Sequence, residues 1–251
     1  GQYYVFYENL FRDLRLDNVV VMTLDSENSY TELGPNFSRH AWWGVITSDY
    51  MKDVETALRA CAENPVGAMQ VYDDLWQELI DIAEEDVTKI IPALKRIAGE
   101  ISKIPLKRTL DQCPKVLIVG EIYVRRDDFA VDELIQHFSR KGIVGKVSGV
   151  GEWIYYCDFT RWYNLKKQLS LLPWYLRPFA RETRELATWH VEKWYKHRVE
   201  HMVKDALSIT GLIPETPHDM KKIMQMSEKH FVDLELQSEI TVSSGVAASA
   251  M

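Results

Sequence analysis

Over residues 3–16 apolar side chains recur at helical spacing, with Val5, Phe6, Leu10, Phe11 and Leu14 interleaved with Glu8, Arg12, Asp13 and Arg15. That period predicts an amphipathic helix. Asp17-Asn18 breaks it, and the β-branched run over 18–24 predicts a strand. The polar, glycine-bearing residues 25–35 then read as a loop at a strand's carboxyl end. Ser48-Asp49 is read as the cap of a helix running to Ala62, which Asn64-Pro65 ends. Two further helices follow over 67–84 and 86–103, divided by the acidic joint Glu84-Glu85-Asp86.

After Pro114 the apolar run 115–119 predicts a buried strand, and residues 120–125 a loop at its end. A helix over 130–141 stops at Gly142, and 143–148 gives a second strand, so 115–148 forms one βαβ-like unit. Residues 152–156 are read as a short edge strand. Helices are expected over 158–171, about 178–209 and 217–236, with Pro173, Pro178, Gly211 and Pro214 as punctuation. The expected fold class is α/β, a Rossmann-like or flavodoxin-like parallel sheet with a large helical complement. The expected parts are 1–48 (part of a first α/β unit), 49–110 (a helical subdomain), 111–157 (a βαβ unit of a second α/β domain) and 158–251 (a helical region truncated at its carboxyl end).

Composition narrows the class without naming a function. Of 251 residues 46% are hydrophobic and 27% charged, which excludes a disordered chain, a fibre and a disulfide-stapled mini-protein. The net charge of −7 argues against nucleic acid or an anionic membrane as partner, and no apolar run is long enough for a membrane span. Charge is unevenly placed: residues 1–86 hold 5 Lys and Arg against 17 Asp and Glu, whereas 161–204 hold 10 against 4. Cys61, Cys113 and Cys157 are sparse and far apart, which favours a reducing, cytoplasmic setting and cysteines that act as small apolar residues. The chain opens without a methionine and closes on what reads as a helix start, so both ends are expected to be cut from a longer polypeptide.

Four sets of residues carry candidate chemistry. Gly142, Gly145, Gly149 and Gly151 lack the strand–glycine–helix order of a dinucleotide loop, and turn geometry is their expected role. His190, Trp194, His197 and His201 share a helical face, where His197 and His201 are a feasible metal pair but a solvated or interfacial face is favoured. Trp153, Trp162, Trp174, Trp189 and Trp194 interleave with Arg161, Arg177, Arg181, Arg184 and Arg198. Aromatic faces beside guanidinium forks suit an adenine nucleotide such as coenzyme A, and Arg177, Arg181, Arg184 and Trp189 are the candidate coenzyme A or partner surface. Packing with Trp in the core and Arg at the rim is the alternative. The fourth set is Gly120, Glu121, Tyr123 and Arg125, placed past the end of a parallel strand, where open α/β sheets bind ligands, with Glu152 and Trp153 of the edge strand as further ligand-binding candidates. Glu121 suits acid–base work and Arg125 a carboxylate or phosphate clamp, unless Arg125 pairs with Glu121 or Glu152 only to fix the loop.

The string PKVLIVGEIYVRRDDFAVDELIQHFSRKGI at 114–143, with GEWIYY at 151–156, is similar to the dehydratase-like region of large bacterial CoA-substrate-specific enzyme activases. More distantly it resembles the D-component of 2-hydroxyacyl-CoA dehydratases and the related benzoyl-CoA reductase subunits. Gly1-Gln2-Tyr3 resembles the tail of that family's cysteine motif, and residues 239–247 the helix before its last one. The resemblance implies iron–sulfur chemistry, in which an ATPase activase passes a low-potential electron to a cluster that serves the dehydration or reduction of an acyl-CoA. It also implies that the family's cysteine motifs lie outside residues 1–251. No cluster is then expected in this segment itself, although one is expected in the full-length protein. The implied partners are the activase ATPase domain and an acyl-CoA or related small molecule. A non-catalytic module that docks the ATPase domain against a dehydratase partner is the alternative, favoured by the charge split.

Overall fold

A computed structural model describes residues 3–16, 18–21, 34–120, 125, 127–214 and 220–227. The chain divides into two compact units, residues 1–41 and 42–251. In the first, α1 (Tyr3–Asp13) forms as its period predicts, with none of its residues buried. Arg15 takes a left-handed conformation just beyond it. The strand expected over 18–24 is not formed in its described part, since residues 19–21 have no regular structure and Val20 is 88% exposed. β-branched residues favour a strand through packing on a pleated, half-buried surface, and Val20 has no such surface. Residues 22–24, and the predicted loop up to 33, lie outside the described residues.

Helix α2 (Gly34–Cys61) begins fourteen residues before the expected cap. Ser48 does not start it: its hydroxyl donates to the Val45 carbonyl within the helix at 2.9 Å. Asp49 does cap a helix, but a different one, described below. From Trp42 onward α2 buries Trp42, Ile46, Tyr50, Met51, Val54, Ala57, Leu58 and Cys61 at helical spacing. Helix α3 (Pro65–Glu85) starts on Asn64, whose side chain accepts from the Gly67 amide, with Pro65 at the first position, where its missing N–H costs nothing. Asp86 caps a 3-10 turn that leads into α4 (Ile90–Ile101), where Ile90, Leu94, Ile97 and Ile101 are fully buried.

Strand β1 (Lys115–Ile118) runs into α5 (Asp128–Arg140), and β2 (Val144–Val147) returns parallel to β1, pairing Lys115 with Val144 and Ile118 with Val147. Gly142, at a φ of +72°, ends α5 in the conformation that favours glycine. Helix α6 (Val150–Leu171) follows at once, so residues 152–156 form helix rather than the expected edge strand. Helix α7 (Arg181–Leu207) follows, and a 3-10 turn and Gly211 close it. Helix α8 (Met220–Ser227) is the described part of the helix expected over 217–236. The second unit is therefore a helix-rich α/β arrangement in which, among the described residues, two parallel strands make the sheet. No helix among the described residues is long and apolar enough to cross a membrane.

One large cluster joins α2, α3, α4, α6, α7 and α8, and Val144 of β2 belongs to it. Val131 and Ile135 of α5 close on Val147 and Ile118 as a smaller cluster on the sheet. Cys61 and Cys113 meet inside the main cluster with their sulfurs 3.5 Å apart, consistent with cysteines that fill space. Burial, then the hydrogen bond between the thiols, pushes the Cys61 thiol up to about 12.

Candidate functional site

Two aspartates one turn apart on α2 set the geometry at the carboxyl end of β2. The Asp49 carboxylate accepts from the Val150 amide at 3.1 Å and from the Gly151 amide at 2.8 Å, capping α6 from outside it. Glycine at 149 and 151 makes room for this approach. A Cβ on Gly149 would lie 2.5 Å from an Asp49 oxygen, and one on Gly151 2.9 Å from Ile46 Cδ1. These glycines thus admit a carboxylate of the same chain, and turn geometry alone, their expected role, is not the whole of it. One turn on, Asp53 is paired with Lys146 of β2. The Asp53–Lys146 pair ties β2 to α2, beside Val144, which joins the same core.

Ser148, just past β2, donates to Glu152 in the first turn of α6. Arg125 is buried beyond β1, and Gly120 lies two residues past that strand. Gly120 and Arg125 thus lie beyond β1, whereas Glu152, expected in an edge strand, stands in the first turn of α6. Trp153 instead packs against the main core. Glu121 and Tyr123 lie outside the described residues.

The tryptophan- and arginine-rich stretch separates into three roles. Trp189 is buried and donates from Nε1 to the Asp158 carbonyl at 2.8 Å. Arg177 bonds the carbonyls of Leu172 and Ser170 at the end of α6, and Arg181 pairs with Glu185 within α7. Arg184 is exposed. The turn between α6 and α7 exposes Leu171, Trp174 at 79%, Tyr175, Leu176 and Phe179 at 82%.

Sequence reasoning missed the polar centre where α2, α6 and α7 meet. Glu200 is 7% exposed and accepts from the Tyr50 hydroxyl at 3.0 Å and the Tyr155 hydroxyl at 2.6 Å. His197 stacks on Tyr155 with ring centroids 5.0 Å apart, its Nδ1 3.7 Å from the same carboxylate. Beside it Asp158 pairs with Lys196 at 2.6 Å. His197 and His201 line one cavity together, whereas His190 bonds the Leu186 carbonyl at 2.7 Å. Among the described residues no three His, Cys, Asp or Glu side chains gather as a metal site. The spacing of His197, Glu200 and His201 on one face was the available signal. Tyr50 and Tyr155, far apart in sequence, gave none.

Burial, followed by the Glu200 charge, raises both Tyr50 and Tyr155 above the ordinary tyrosine value of 10.0. Burial and the Glu55 charge do the same to Tyr72. Cys157 is pushed up to about 11 by burial and the Asp158 carboxylate. All these groups hold protons in the folded chain that the unfolded chain releases above its ordinary values of 9.0 for cysteine and 10.0 for tyrosine. Their contribution to stability is therefore complete below about pH 9 and is lost as the pH rises. Thermal scans should show a melting temperature that is level from about pH 7 to 8.5 and falls steeply above about pH 9.5. A level curve through pH 11 would refute this account.

The chain matches no protein-family model, no curated protein and no solved structure.

Proposed function

We propose that the chain is the central part of an iron–sulfur-dependent, acyl-CoA dehydratase- or reductase-like protein of the cytoplasm. In this reading it receives a low-potential electron from an ATP-driven activase. The observation that carries the reading is the 115–156 string, folded as a parallel strand–helix–strand whose ends lead to Gly120, Arg125 and the Ser148–Glu152 pair. The two strands then belong to a Rossmann-like parallel sheet, with a ligand at their carboxyl ends. Arg125 provides a guanidinium for a carboxylate or phosphate, and Glu152 a carboxylate oriented by Ser148.

The described residues do not fit a cluster site. Cys61 and Cys113 form a closed pair in the core, and Cys157 stands apart beside Asp158. A cluster needs about four thiolates, so its ligands are sought elsewhere in the longer polypeptide. The test is anaerobic purification of that polypeptide, with iron and sulfide analysis and EPR of the reduced protein. Roughly four iron atoms per cluster and a reduced-cluster signal are expected. Absence of iron and sulfide would falsify the reading.

A second reading rests on the exposed tip between α6 and α7. Trp174, Tyr175 and Phe179 stand in solvent beside Arg177, with Arg181 and Arg184 following. Aromatic residues and arginine are enriched in the centres of interfaces, and these cations suit an acidic face of the activase ATPase domain. Association with that domain should weaken with salt and on charge reversal of Arg181 and Arg184. Undiminished binding counts against docking.

A further inference from the structure

A cavity of about 470 Å³ opens beside Glu200. Its walls are aromatic: Tyr155, Phe159 and Trp162 from α6, and Trp189 from α7. Trp162 and Trp189 lie 6.1 Å apart at a tilt of 30°. The charge of its lining is one-sided. Lys193, Lys204 and Lys221 face it together with His197 and His201, against the carboxylates Glu200 and Asp158. Asp158 is already matched by Lys196, so among the described lining residues three ammonium groups stand against the Glu200 carboxylate. The Lys193 ammonium sits 5.1 Å from the Trp189 ring centroid, which places positive charge directly beside an aromatic wall.

Each feature selects part of a ligand. Aromatic walls favour a flat ring, because stacking is available to any π-face. An excess of lysine in a partly enclosed cavity concentrates anions. An ionised carboxylate only accepts hydrogen bonds, so Glu200 on the cavity wall favours an N–H donor on the ring over an acceptor. The volume suits one ring system with its substituent. We propose that this cavity binds a flat nitrogen heterocycle bearing a carboxylate or phosphate, its N–H edge toward Glu200 and its anion among Lys193, Lys204 and Lys221. The site requires neither a cluster nor an acyl-CoA, so it stands apart from the dehydratase reading.

The test is calorimetric titration of the 251-residue chain in air. Indole-3-acetate supplies the carboxylate arm and adenosine 5′-monophosphate the phosphate arm. Cyclohexanecarboxylate and inorganic phosphate are the controls without an aromatic ring. At least one heterocyclic anion is expected to bind one-to-one, at least about tenfold tighter than its control. The double variant Lys193→Gln/Lys204→Gln changes an exposed and a half-buried lysine, and its circular dichroism should match the parent. It should weaken binding by about tenfold or more, as should Trp162→Leu. The idea is overturned if neither heterocyclic anion outbinds its control, or if the lysine double variant binds as tightly as the parent.

Discussion

Lys146→Met is expected to destabilise the chain by about 3–5 kcal/mol, the range for breaking a buried ion pair from one side. Asp53 is 2% exposed and Lys146 half-buried, so the substitution takes the bonded ammonium from a carboxylate that water cannot readily solvate. The pair also joins β2 to α2, so the loss falls on the seam between sheet and helices. Restoring shape without charge should restore most of the stability: the double variant Asp53→Leu/Lys146→Met is expected within about 1–2 kcal/mol of the parent. Urea titrations give both numbers, and a double-mutant cycle gives their coupling. A single variant that loses less than about 1 kcal/mol would show that the pair is not coupled to folding.

Glu200→Ala is expected to cost about 3–5 kcal/mol. It removes the acceptor from two buried phenols, at about 1–3 kcal/mol for each stranded hydroxyl. Tyr50→Phe and Tyr155→Phe each remove one donor and keep the ring, so about 1 kcal/mol apiece is expected. Near-UV circular dichroism should change in the alanine variant, because Tyr155 packs against both Trp42 and His197. If the alanine variant melts within a degree or two of the parent, the centre does not hold the three helices together.

The elements that local chemistry decides were legible in the sequence. Asn64-Pro65 closed off α2, Gly142 ended α5, and the strands expected over 115–119 and 143–148 formed over 115–118 and 144–147. What failed was local evidence whose partner lies far away. Ser48-Asp49 has the composition of a cap, yet Asp49 caps a helix that begins about a hundred residues later. Residues 152–156 carry Trp, Ile and two Tyr, types that favour strands, and the same distant carboxylate starts them as helix. The site followed the same rule. Gly120 and Arg125 fall beyond β1 because a strand end is local, whereas the Tyr50–Tyr155–Glu200 centre exists only after three helices have packed.

The long reach of α2 bears on how the protein is made. Trp42 and Trp43 donate to the Lys196 carbonyl and the Tyr195 hydroxyl, and Tyr50 donates to Glu200, all about 150 residues further along the chain. At ribosomal speeds of about 5–20 residues per second, the apolar stripe of α2 waits on the order of ten to thirty seconds for its cover. Contacts of such sequence separation also slow folding after release, because a long loop must close before they form. Throughout that interval the Trp42–Tyr50 part of the stripe lacks its α7 contacts, while α3 and α4 are already at hand for the rest. Helix α2 is thus made well before α7 and is finished only when α7 arrives.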